Sequence, residues 1–147
     1  MRSSISSYKK LMEKAKDLFI LQSAASIVHW DMETKMPPKA IKLRSLQLAM
    51  LSRIGHKMST DPEIGKFLEE VMRHPEYDNL NTVQKRNVYL MKKNYDEQTK
   101  LPEELVAETA KQQVITVDTW KKAKAAKDFS MFKPELEKLV GLRRKAA

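Results

Sequence analysis

His29, Asp31 and Glu33 fall within one short stretch, His29-Trp30-Asp31-Met32-Glu33-Thr34-Lys35-Met36-Pro37-Pro38. An imidazole and two carboxylates are donors that suit a divalent cation. If a helix runs through them, His29 and Glu33 stand one turn apart on the same face. The same residues have a plainer use. Asp31 can cap or turn the backbone while His29 and Trp30 pack or hydrogen-bond locally, and a short acidic turn holds a metal only with a distant further ligand.

The rest of the chain offers little else for chemistry. His56 and His74 are the other two histidines, and neither is followed by His or Glu at the i+4 spacing of a helical zinc site. Both read as polar surface residues at helix ends. No His-Glu-x-x-His occurs anywhere in the 147 residues. Cysteine is absent, which excludes a thiol nucleophile, a thiolate metal site and a disulfide scaffold. A Ser-His-Asp triad stays open because its members can lie far apart. No Gly-x-Ser-x-Gly supports one, and three glycines in all leave no phosphate-cradling loop.

The elements that must carry these residues are helical. Ala, Leu, Lys, Glu and Met dominate, and such side chains lose little freedom in a helix. Ile5, Tyr8, Leu11/Met12, Ala15 and Leu18/Phe19 recur at helical spacing and predict a first helix from about Ile5 to about Val28. Pro37 and Pro38 bar its continuation. Leu43, Leu46, Met50, Ile54 and Met58 predict a second, from about Lys39 to Met58. Thr60-Asp61-Pro62-Glu63 supplies a cap, a proline in the first turn and a Glu that can reach back. The stripe Ile64, Phe67/Leu68, Val71/Met72 follows, and His74-Pro75 ends it. Asn81-Thr82-Val83-Gln84 starts a fourth helix through Val88, Met91 and Tyr95. Leu101-Pro102-Glu103-Glu104 starts a fifth, with a core face at Val106, Ala110, Val114, Val117 and Trp120. Asp128-Phe129-Ser130 breaks it, and Phe132, Leu136, Leu139 and Val140 begin a sixth. The expected fold is all-α, about six helices packed as antiparallel hairpins.

Length predicts a single helical domain over residues 1–147. Leu142-Arg143-Arg144-Lys145-Ala146-Ala147 carries no clean glycine or proline stop, so the domain reads as truncated at its C-terminus. On that reading helices near the C-terminus expose part of an apolar stripe and drive self-association. No apolar run approaches the ~20 residues of a membrane span. Charges at Lys9, Lys10, Glu13, Lys14, Lys16 and Asp17 occupy the place of a secretory h-region, and the expected location is cytoplasmic.

The formal net charge is +9. The basic clusters are Lys9-Lys10, Lys35 to Arg44, Lys121-Lys122-Lys124-Lys127 and Arg143-Arg144-Lys145. They could neutralise phosphates, but they are spread over several helices, mixed with acids, and lack interleaved aromatic residues for base stacking. Solvated helix faces are the better reading, and nucleic acid is disfavoured as a partner. Of nine methionines, Met50, Met58, Met72 and Met91 fall on predicted core faces, where they fill space.

The stretch His29-Trp30-Asp31-x-Glu33-Thr34-x-Met36-Pro37 resembles the Trp-Asp-x-x-Thr-x-Met-Pro segment of the carboxypeptidase Taq family of zinc metallocarboxypeptidases. Arg44, Gln47-Leu48-Ala49 and Leu51-Ser52-Arg53 are similar to that family's second helix, and Thr60-Asp61-Pro62-Glu63-Ile64-Gly65 to its next helix start. Tyr95 to Val106, with Leu101-Pro102-Glu103-Glu104-Leu105-Val106, and Trp120, Ala123, Ala126, Asp128-Phe129, Phe132, Pro134, Leu136 and Leu142-Arg143-Arg144 continue the resemblance in order. It covers nearly the whole chain.

The resemblance implies the helical N-terminal portion of a larger, commonly dimeric, cytoplasmic hydrolase that removes C-terminal residues from peptides. In that family two His of a His-Glu-x-x-His helix and a downstream Glu hold zinc, and the motif's own Glu acts as general base. None of these can be carried over. The resemblance therefore implies no catalytic residue, no metal ligand and no cofactor in this chain, and no peptidase activity from it alone. His29, Trp30, Asp31, Glu33, Thr34, Met36 and Pro37 become a structural signature joining the first two helices. The expected partner is the remainder of the peptidase or a second copy of the chain, with peptide substrate only in the full-length context. Two other readings stand beside it: a free-standing basic helical binding module for a protein or nucleic acid, and one half of a split enzyme.

Overall fold

Residues 6–147 are described by a computed structural model. Six α-helices occur among them: α1 (Ser6–Thr34), α2 (Ile41–Ser59), α3 (Pro62–Met72), α4 (Thr82–Gln98), α5 (Glu103–Ala126) and α6 (Lys133–Ala146), with 3-10 turns at Pro38–Ala40, Tyr77–Asn79 and Phe129–Met131. No strand occurs among the described residues. The all-α expectation holds. Ile5, the expected helix start, lies outside the described residues.

The helix starts follow their sequence signals closely. Asp61 caps α3 by accepting from the Glu63 amide at 2.9 Å, with Pro62 in the first turn. Asn81 and Gln84 form both arms of a capping box on α4, at 2.9 and 3.0 Å. Pro102 in extended conformation leads into α5, whose first turn carries Glu103 and Glu104. The expected end of α1 at Val28 is corrected to Thr34. A proline removes one amide and restricts only the residue before it, so Pro37 permits helix almost up to itself. Lys35 and Met36 amides both close on the Asp31 carbonyl at 2.9 Å.

The chain divides into two compact units. The first joins residues up to Leu21 with Gly55–Lys100. Its core is Leu11, Ile64, Phe67, Leu68, Val71, Leu80 and Val88, flanked by Tyr8, Met12, Tyr77, Met91 and Tyr95. Leu68 and Val71 are fully buried, each worth about 1.5–3 kcal/mol in transfer from water. Here α1 runs antiparallel to α3: Ser7 donates to Glu70, Lys10 lies 5.2 Å from the Phe67 ring centre, and Lys14 meets Glu63 at 2.7 Å.

The second unit joins Gln22–Ile54 with Leu101–Ala147. In it α5 and α6 form an antiparallel hairpin. The Gln112 amide nitrogen donates to the Glu135 carboxylate at 2.7 Å, and the Thr116 hydroxyl donates to the Glu135 carbonyl at 3.3 Å. The buried face of α5 is Ala107, Val114, Thr116 and Ala123, whereas Trp120 of the expected core face is 44% exposed. Small side chains let a neighbour approach closely, and the bulky indole is turned out.

The same substitution of faces marks α2. Leu43, Leu46, Met50 and Ile54, whose spacing announces the helix, are exposed, while Ser45, Leu48, His56 and Ser59 are buried. His56 is thus corrected from a surface residue to a buried one. Met50 and Met72 are corrected from core filling to exposed positions.

Candidate functional site

The signature segment occupies the last turns of α1 and the turn into α2. Because α1 continues through it, His29 and Glu33 do share a face one turn apart. Their surroundings differ. His29 is exposed. The Glu33 carboxylate takes the Lys121 ammonium of α5 at 2.6 Å. Asp31, half-buried, takes Arg44 of α2 on a single oxygen, from Nε at 2.8 Å and Nη2 at 2.7 Å. Arg44 Nη1 in turn donates to the Gln47 side-chain carbonyl at 2.8 Å.

The remaining members hold backbone. The Thr34 hydroxyl donates back to the Trp30 carbonyl one turn earlier, at 2.8 Å. Met36 is half-buried. Pro37, at φ −61° and ψ 141°, turns the chain into the 3-10 turn, and its carbonyl accepts from the Ala40 amide at 2.8 Å. Trp30 stays 62% exposed.

The donor set does not fit a zinc ion. Among the described residues no three His, Asp or Glu side chains converge on one point. Both carboxylates of the segment are neutralised by cations, and a metal would have to displace Arg44 or Lys121 to use them. His56 is buried in the last turn of α2. His74 is exposed, with Nδ1 accepting from the Glu76 amide at 3.1 Å. The arrangement is a clasp that sets α1 against α2 and α5. Arg44 was legible in sequence only through the resemblance. Lys121 was legible only as one of a basic cluster, 88 residues from its partner.

The family model for carboxypeptidase Taq (M32) metallopeptidase matches residues 10–147. Thermostable carboxypeptidase 1 of Pyrococcus furiosus is 29% identical over 139 residues, covering 95% of this chain and 27% of that protein. Its namesake from Thermus thermophilus is 29% identical over 140 residues, covering 95% and 28%. The crystal structure of BsuCP superposes with a TM-score of 0.90 at 26% identity, over 96% of this chain and 28% of that one. The chain thus spans just over a quarter of the length of these relatives, and the match falls in their N-terminal part. No described helix is long and apolar enough to cross a membrane. The chain belongs to the carboxypeptidase Taq (M32) metallopeptidase family.

Proposed function

We propose that these 147 residues form the N-terminal helical scaffold of a zinc metallocarboxypeptidase that trims C-terminal residues from peptides, and that other residues supply the zinc and its ligands. One observation carries the reading: the fold matches a family carboxypeptidase at a TM-score of 0.90, while the sequence holds no His-Glu-x-x-His. What the chain's own residues do is positional. Asp31–Arg44 and Glu33–Lys121 brace the signature turn, and the exposed stripe Leu43, Leu46, Met50, Ile54 of α2 offers apolar surface to whatever completes the enzyme. That completing part is the remainder of the peptidase, in the same chain or a separate one, or a second copy. The proposed compartment is the cytoplasm.

The test is a complementation assay on blocked dipeptides with zinc or cobalt present. The chain alone is expected to release no C-terminal residue above a metal-free control. Mixed with the zinc-bearing remainder of a family member, it is expected to restore release. Trimming by the chain alone overturns the reading, as does failure of the mixture to associate.

A further inference from the structure

The second unit contains a recess of about 350 Å³ at the α5–α6 corner, lined by Trp120, Ala123, Lys124, Lys127, Asp128, Phe129 and Phe132. Its walls are aromatic, and its rim carries two lysines, Lys124 and Lys127, beside one acid, Asp128. Phe129 and Phe132 meet edge to face with ring centres 6.0 Å apart, yet Phe129 remains 63% exposed and Trp120 44%. Large apolar side chains gathered around a concave surface and left in water are the composition of a binding site.

Backbone hydrogen bonds set the end of α5 beside the recess. Lys127 adopts the left-handed conformation, φ 54° and ψ 32°, and ends α5. Its amide closes on the Lys124 carbonyl at 3.2 Å, and the Asp128 amide closes on the Ala123 carbonyl at 3.0 Å. These bonds satisfy helix-end carbonyls that would otherwise repel an anion. Asp128 turns its carboxylate to the Ser130 hydroxyl at 2.6 Å and amide at 2.9 Å, and these bonds hold its pKa below the ordinary value.

Charge decides the occupant. Four lysines cluster at the end of α5. Lys121 is paired with Glu33 and Lys122 with Asp118, both at 2.6 Å. Lys124 and Lys127 meet no carboxylate among the described residues. The Lys124 ammonium lies 5.0 Å from the Trp120 ring centre. The two unpaired cations are the two that border the recess.

We propose that this recess docks an acidic peptide segment, with one aromatic or leucine side chain seated between Trp120, Phe129 and Phe132 and flanking carboxylates on Lys124 and Lys127. The recess lies apart in sequence from the signature segment, and Trp120, Ala123, Asp128, Phe129 and Phe132 belong also to the family resemblance.

The test uses the full 147-residue chain carrying Trp30→Phe, so that indole fluorescence reports Trp120 alone. Acetyl-Glu-Phe-Glu-amide is expected to give a saturable change. Acetyl-Gln-Phe-Gln-amide is expected to bind about fivefold more weakly, the size of effect two exposed charge pairs produce. Acetyl-Glu-Ala-Glu-amide, lacking the anchor, is expected to give none. Lys124→Gln with Lys127→Gln is expected to abolish the preference for the acidic peptide, and Lys122→Gln, outside the recess, to leave it intact. No saturable change with the first peptide overturns the proposal, as does equal binding of the alanine peptide. Should the double variant lose helicity, the contrast among peptides on the lysine-intact chain decides alone.

Discussion

Arg44 and Asp31 meet through two guanidinium nitrogens on one carboxylate oxygen, at 2.8 and 2.7 Å, across the turn joining α1 to α2. The contact makes the acid of the signature segment a structural anchor. Both side chains are about a quarter exposed, so the pair is screened less than a surface pair. Arg44→Ala is expected to destabilise the chain by about 1–2 kcal/mol, since it leaves a half-buried carboxylate without its partner. Denaturant unfolding of Asp31→Ala, Arg44→Ala and the double variant should show a positive coupling energy. Additive effects would remove the anchor.

The zinc misfit has its own consequence. A folded-state site stabilises by about 2.7 kcal/mol at a hundredfold excess of metal over its Kd. The His29, Asp31, Glu33 segment is expected to give no such gain. The melting temperature should be the same in micromolar zinc and in chelator, and an upward shift abolished by Glu33→Gln would show that the segment binds metal after all.

Lys14, Asp61 and Glu63 tie α1 to the start of α3. The Lys14 ammonium, 2.6 Å away, is the main cause of Asp61's pKa lying below its ordinary 3.8, with the Glu63 amide next. Hydrogen bonds that Lys14 donates to Asp61 and then Glu63 raise its pKa above the ordinary 10.5. A depressed carboxylate contributes stability that is complete above 3.8 and lost as pH falls through its folded value. A raised ammonium contributes stability that is complete below 10.5 and lost as pH climbs through its folded value. Equilibrium unfolding should show both losses. In Asp61→Asn, which keeps a capping oxygen, the acid-side loss should shrink.

Gly65 faces Tyr95 on α4. A Cβ at residue 65 would stand 2.8 Å from the Tyr95 hydroxyl oxygen and 3.0 Å from two ring carbons. Gly65→Ala should therefore cost about 1–3 kcal/mol, despite alanine's better helix propensity. Adding Tyr95→Leu, which removes the rigid ring, should recover part of it. A gain in stability from Gly65→Ala alone would show that α4 yields easily.

Lys127 sits where a helix ending favours glycine. Its left-handed backbone costs about 1 kcal/mol for a residue with a Cβ. Lys127→Gly is expected to raise stability by about 0.5–1 kcal/mol, read from the midpoint of thermal or urea unfolding. A loss would mean that the lysine side chain supports the corner by more than the backbone strain costs.

Sequence alone determined where the helices start and what family they belong to. Caps and prolines act on the nearest few residues, so Asp61-Pro62, Asn81…Gln84 and Pro102-Glu103-Glu104 could be read with no knowledge of the fold. The signature segment was equally legible as a string of residue types. Tertiary structure alone decided which face each helix buries and what each charged side chain meets. Both faces of α2 carry apolar or small residues, so periodicity could not choose between Leu43-Leu46-Met50-Ile54 and Ser45-Leu48-His56-Ser59. Glu33 finds Lys121 and Asp31 finds Arg44 because a turn and a helix packing bring them within 3 Å, and no local rule couples charges so far apart along the chain. That is why His29, Asp31 and Glu33 could be read as metal donors in sequence and stand in the fold as one free imidazole face and two neutralised anchors.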